Sequence, residues 1–150
     1  MKTSNYIYYE TPSMKPRHHE EDAGYDLRAS QDITIEPGKI ALVPTGISVE
    51  LLSTSVGYVT GRSSMNSAGI IVHQGVIDPG YRGEIKVVLQ NFTEEPYHIK
   101  KGERIAQMLL LEFQKAQVVE GKAPQNTARG AKGFGSTGKG RLNECKRLLW

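Results

Sequence analysis

One cysteine, Cys145, leaves no partner for an internal disulfide, and no run approaches the ~20 consecutive apolar residues that a membrane span needs. Residues 1–16 lack the apolar stretch of a signal peptide, so the expected setting is reducing and intracellular: cytoplasmic, or nuclear in a eukaryote. Without export, the glycosylation pattern at Asn91, Phe92 and Thr93 reads as accidental. Aromatics are scarce and are not interleaved with basic residues as a nucleic-acid stacking platform requires, so no nucleic-acid partner is called for. Charge of one sign is lacking too. The 19 Lys and Arg exceed the 16 Asp and Glu by a net +3, which suits an anionic ligand without specifying one. Metal-ligand spacing is missing from His18, His19, Glu20, Glu21 and Asp22, because adjacent histidines point in different directions; the run reads as a solvated loop.

What the chain has in quantity is punctuation. Sixteen glycines and seven prolines separate short β-prone runs at Tyr6 to Tyr9, Ile33 to Ile35, Ile40 to Val43, Ile47 to Leu51 and Val56 to Thr60. Such spacing over 150 residues predicts one all-β domain, a sandwich or barrel, with a core burying roughly two thirds of the surface of the unfolded chain. Residues 91–102 read as a polar link. Beyond it, Ile105, Met108, Leu109 and Phe113 fit helical spacing at least as well as strand alternation. Composition changes near residue 125, so residues 1–124 are expected to form the β domain and 125–150 a glycine-rich, basic arm and tail.

Chemistry concentrates in a few places. In GVIDPGYRGEIKVVLQN, Gly75 to Asn91, β-branched arms flank Asp78, Pro79, Gly80, Tyr81, Arg82 and Gly83, a hairpin pattern in which proline presets one angle and glycine supplies a positive φ. A carboxylate and an aromatic ring three residues apart would share that support. In AGYDLRAS, Ala23 to Ser30, Asp26 would face away from Tyr25 and Leu27, either toward solvent or into a site. Arg62, Ser63 and Ser64 offer a guanidinium and two hydroxyls, a set that binds an anion or caps a turn. In RGAKGFGSTGKGR, Arg129 to Arg141, a GxGxxG match lacks its strand-turn-helix context, and a near Walker A match has Gly140 where a magnesium-holding hydroxyl belongs. What remains is a cationic arm with one ring, Phe134, or simply a basic tail. Leu142, Cys145, Leu149 and Trp150 recur at near-helical intervals, consistent with a short docking segment.

Taken together, AGYDLRA, GRSS, GVIDPGYRGE, GERIAQM and RGAKGFGSTG resemble, in order, the five motifs of the trimeric dUTP pyrophosphatase family, from about Ala23 to Gly138. The resemblance implies a jelly-roll-like β-barrel protomer, a homotrimer with three shared active sites, and a strand rather than a helix over Ile105 to Phe113. It implies that Asp78 is the general base for water attack on the α-phosphorus of dUTP, and that Tyr81 packs on the deoxyribose. Main-chain groups of Gly75, Val76, Ile77 and Lys86 would read uracil. Arg62, Ser63, Ser64 and Gln107 would hold the triphosphate, and Asp26 would hold Mg²⁺ through water. From the arm, Phe134 would stack on uracil while Arg129, Gly135, Ser136 and Thr137 close over the phosphates. Some members have Asn in place of Val72, and many have Gly in place of Ser64. A dCTP deaminase shares part of this vocabulary but needs a catalytic Glu where Val88 stands; a non-catalytic nucleotide or nucleic-acid binding regulator is the other alternative.

Overall fold

A computed structural model describes residues 3–133. Ten strands carry the fold: β1 (Tyr6–Tyr9), β2 (Tyr25–Arg28), β3 (Ile33–Ile35), β4 (Ile40–Glu50), β5 (Ser55–Thr60), β6 (Ile70–His73), β7 (Gly75–Ile77), β8 (Ile85–Asn91), β9 (Tyr97–Ile99) and β10 (Arg104–Glu112), with one short helix, α1 (Ser63–Ser67). They form two four-stranded antiparallel sheets, ordered β1-β4-β8-β6 and β2-β10-β5-β7, and a small ribbon of β3 with β9. This is the all-β, jelly-roll-like architecture expected. Burial alternates residue by residue along β5 and β8, so each buries every second side chain. Val43, Ile85, Val87 and Leu89 from one sheet meet Leu27, Val59, Ile105 and Met108 from the other in a continuous core.

Three local expectations change, and the strand that the resemblance implies over Ile105 to Phe113 is present. The two runs Ile40 to Val43 and Ile47 to Leu51 are one strand, because the ladder to β8 shifts register between Pro44 and Ile47 and so absorbs the proline, which has no N–H to give. Gly46 takes φ +65° at that bulge, and its N–H donates to Glu84 Oε1 at 2.9 Å. The polar link contains β9. Asn91 starts it from inside the protein: it is fully buried, its Nδ2 donates to the Ile35 and Glu95 carbonyls, and its Oδ1 accepts from the Thr93 N–H and hydroxyl. That amide is committed to the fold, in keeping with an accidental glycosylation match.

β10 is a strand, and the reason for its helical spacing is visible. Its pairing with β2 shifts register between Arg104 and Ala106, so Ile105 and Ala106 are both buried before alternation resumes at Met108. Finally, the supposed hairpin arm Ile70 to Ile77 is two strands in different sheets: β6 pairs with β8, whereas β7 pairs with β5.

The compact β unit runs to Lys115. In the second unit, residues 116–133 form neither helix nor strand, and a local turn closes where Gly130 N–H donates to Thr127 Oγ1 and Lys132 N–H to the Arg129 carbonyl. Phe134, Gly135, Ser136, Thr137 and the Leu142 to Trp150 segment lie outside the described residues. Among the described residues, no helix is long and apolar enough to cross a membrane.

Candidate active site

The split at Gln74 makes the first part of the site. β7 leaves the edge of one sheet for the edge of the other, so β7 and β8 diverge instead of closing a ladder. Between them lies a hollow of about 300 Å³, lined by Val76, Ile77 and Asp78 on the β7 side and by Tyr81, Glu84, Ile85 and Lys86 on the other. β7 is the outer strand of its sheet, so the main-chain groups it does not give to β5 are available to a ligand.

The connecting turn is rigid for identifiable reasons. Tyr81 N–H donates to the Asp78 carbonyl at 3.0 Å, and the Arg82 guanidinium donates to the Pro79 and Tyr81 carbonyls at 2.8 and 3.0 Å. The Tyr81 hydroxyl donates to the Glu84 carbonyl at 2.9 Å. Neither Gly80 nor Gly83 takes a positive φ, contrary to the expectation that glycine serves the turn in that way. Asp78 is exposed, and among the described residues its carboxylate has no hydrogen-bonded or ionic partner.

A second cluster is built on the β2-β10 pair. Asp26 stands opposite Gln107 in the ladder and is surrounded by three guanidiniums: Arg104 at 2.9 Å, Arg62 at 3.2 Å and Arg17 at 3.6 Å. Thus Asp26 faces a basic cluster and not open solvent. Arg62 is extended, directly precedes α1, and donates a second bond to the Arg104 carbonyl at 3.1 Å. Gln107 Nε2 donates to the Gly61 carbonyl at 2.9 Å, tying β10 to the same loop, and Ser63 and Ser64 open α1 with exposed side chains. Three positive groups around one negative group leave a net positive surface, suited to oxyanions.

Among the described residues, no three His, Cys, Asp or Glu side chains converge as a metal cage. The Asp26 carboxylate, occupied by guanidiniums on both oxygens, does not fit a resident ion. It fits a metal that arrives on an anion and keeps its water.

The two clusters do not meet within one chain. Ile77 stands opposite Gly57 in the ladder of β7 with β5, and Arg62 lies five residues beyond Gly57 on the far side. At ~3.3 Å per strand residue, the slot end and Arg62 are roughly 17 Å apart, with Asp78 farther still. Gly75, Val76, Ile77, Asp78, Tyr81 and Lys86 therefore share one location, and Asp26, Arg62, Ser63, Ser64 and Gln107 another. Arg129 lies in the second unit.

Sequence reasoning missed Arg104, Arg17, Arg82 and Glu84. Arg104 sits inside GERIAQM and Arg82 inside YRGE, so both were on view as motif members without a role. Arg17 had no such signal: its apposition to Asp26 comes from an isolated antiparallel bridge in which Asp26 N–H donates to the Arg17 carbonyl.

Comparison with known proteins gives a consistent answer. The family model described as dUTPase matches residues 11–138. The deoxyuridine 5′-triphosphate nucleotidohydrolase of Clostridium tetani is 42% identical over 124 residues, covering 81% of this chain and 86% of that protein. Its counterpart from Rhizobium etli is 46% identical over 123 residues, covering 77% and 79%. Among solved structures, the Staphylococcus bacteriophage 80alpha dUTPase with dUPNHPP superposes with a TM-score of 0.82 at 26% identity, covering 91% of this chain and 99% of that one.

Proposed function

The chain belongs to the dUTPase family, and from that premise we propose how its own residues perform the reaction. It is a dUTP diphosphatase: water adds to the α-phosphorus of dUTP, the bond to the α,β-bridging oxygen breaks, and pyrophosphate leaves with the electron pair, giving dUMP. In the proposal, Asp78 takes the proton of the attacking water. Its exposed, unpartnered carboxylate on a braced turn meets the first demand on a general base, which is access at fixed geometry.

Uracil enters the slot between β7 and β8, where main-chain groups of Gly75, Val76 and Ile77, with Lys86 opposite, present a donor and acceptor edge. A hollow of about 300 Å³ accommodates a pyrimidine ring and part of its sugar. Tyr81 covers the deoxyribose and leaves no room for a 2′-hydroxyl. The triphosphate goes to Arg62, Ser63, Ser64 and Gln107; Asp26 and the Arg104 carbonyl hold Arg62, and the Gly61 carbonyl holds Gln107. Asp26 would hold Mg²⁺ through water, and the ion would supply charge neutralisation on the phosphates. The arm of residues 125–150 closes over the nucleotide, with Phe134 on uracil and Arg129, Gly135, Ser136 and Thr137 at the phosphates.

The observation that carries the assembly is the separation of roughly 17 Å between the slot end and Arg62. Clusters that far apart do not make one compact site within a single chain. A homotrimer in which one protomer's slot faces another's cationic cluster removes the difficulty, since a cyclic assembly repeats the same heterologous contact at every site.

The test is pyrophosphate release with Mg²⁺ from dUTP, dCTP, dTTP and UTP side by side. Cleavage of dUTP alone is expected, and D78N should slow it by roughly 10² to 10⁴. Equal cleavage of all four, or full activity in D78N, overturns the proposal.

A further inference from the structure

We infer that Gly83 is a specificity-determining residue: its missing side chain is the space in which the Tyr81 ring lies, and so it sets where that ring meets the sugar. The inference rests on the reading above that Tyr81 covers the deoxyribose.

Glycine at this position needs an explanation that its backbone does not give. Gly38, Gly46, Gly69 and Gly102 in the β unit have positive φ and are glycines for that reason; Gly83 does not. Its surroundings supply the reason instead. A Cβ built on Gly83 would lie 2.5 Å from the Tyr81 hydroxyl oxygen, 2.6 Å from Cζ and 3.0 Å from Cε2. These contacts are far inside van der Waals distance and involve the whole outer edge of the ring. By contrast, Gly80 in the same turn has open space around the corresponding position, so the restriction is specific to residue 83.

The ring is held where it lies at its tip and through the main chain beneath it. Its hydroxyl is held by the Glu84 carbonyl at 2.9 Å, and Glu84 is itself anchored across the sheet, where its Oε1 accepts the Gly46 N–H. The backbone beneath the ring is held by Arg82 through the Pro79 and Tyr81 carbonyls. A methyl group at residue 83 would therefore swing the ring off Gly83, break its hydroxyl bond and displace its face relative to the slot. Since Tyr81 excludes the 2′-hydroxyl by position alone, displacement relaxes the choice between deoxyribose and ribose. A purely structural role for Gly83 would lower stability and leave that choice unchanged.

The experiment measures kcat/KM for dUTP and for UTP in the wild type, G83A, Y81A and the G83A/Y81A double variant. G83A should reduce the dUTP-to-UTP ratio by roughly tenfold or more, the scale on which a shaped pocket rejects one added group. The double variant should match Y81A, because the methyl then meets no ring. A wild-type ratio in G83A alongside a reduced ratio in Y81A overturns the inference and leaves the sugar-screening role of Tyr81 standing. An unchanged ratio in Y81A overturns that role and the inference with it. If G83A does not fold, the double variant should restore folding, and its failure to do so overturns the clash.

Discussion

Mixing two inactive variants should restore activity. D78N removes the proposed base from the slot, and R62A removes the guanidinium from the cationic cluster; each variant alone is expected to turn over dUTP at a small fraction of the wild-type rate. The β7 and β5 register separates these groups by more than the roughly 17 Å between Ile77 and Arg62. If a site takes Asp78 from one protomer and Arg62 from another, a mixed trimer contains some sites with both groups intact. With equal amounts and random assembly, the slot donor is an R62A chain half the time and the phosphate donor a D78N chain half the time. About a quarter of all sites in the unselected mixture are then wild type in composition, and because each trimer holding both chains has one such site in three, recovery after selection for both tags should approach about one third. Co-expression of the two variants with different affinity tags, tandem purification and a pyrophosphate-release assay measures it. A mixed preparation no more active than the average of its parents would refute the shared site and the separation argument together.

Two further outcomes test the scaffold. N91A should lose about 2–4 kcal/mol of stability in chemical denaturation, because removing one fully buried amide takes away four hydrogen bonds and leaves the buried Ile35 carbonyl without its Asn91 donor; a loss below about 0.5 kcal/mol contradicts the assigned bonds. Asp32 is held below its ordinary pKa of 3.8, first by the Lys101 N–H and then by Lys100, so its carboxylate favours the folded state above that pH and loses the effect as pH falls through the folded value. The stability margin of the wild type over D32N should therefore be present at neutral pH and shrink in acid; a margin that grows on acidification reverses the sign and refutes the pairing.

Much of this architecture was legible because glycine and proline mark strand ends. Tyr6–Tyr9 and Ile33–Ile35 have the bounds that punctuation predicts. Errors arose where pairing overrides local pattern. Pro44 reads as a stop, yet a register shift lets β4 pass through it. Ile105, Met108, Leu109 and Phe113 fit helical spacing, yet they lie on and just after a strand whose bulge buries Ile105 and Ala106 together. Asn91 reads as loop although its amide organises the interior from a buried position. For the site, the slot residues were legible because they are contiguous from Gly75 to Lys86. The Asp26 cluster was only half legible, since Arg17 and Arg104 reach the carboxylate through antiparallel neighbours far away in sequence. No periodicity announces a neighbour of that kind.

The corner at Gln74 carries a mechanical consequence. Strands joined in one ladder sit ~4.8 Å apart, too close to admit anything, whereas packed sheets stand ~10 Å apart. Because Gly75–Ile77 and Ile85–Asn91 belong to opposite layers, the opening between them inherits its gauge from the hydrocarbon filling of the sandwich. Ile85, a dry residue that faces the interior and also lines the hollow, thereby couples the core to an aperture on the surface. Trimming it would loosen the core and reshape the mouth in one step.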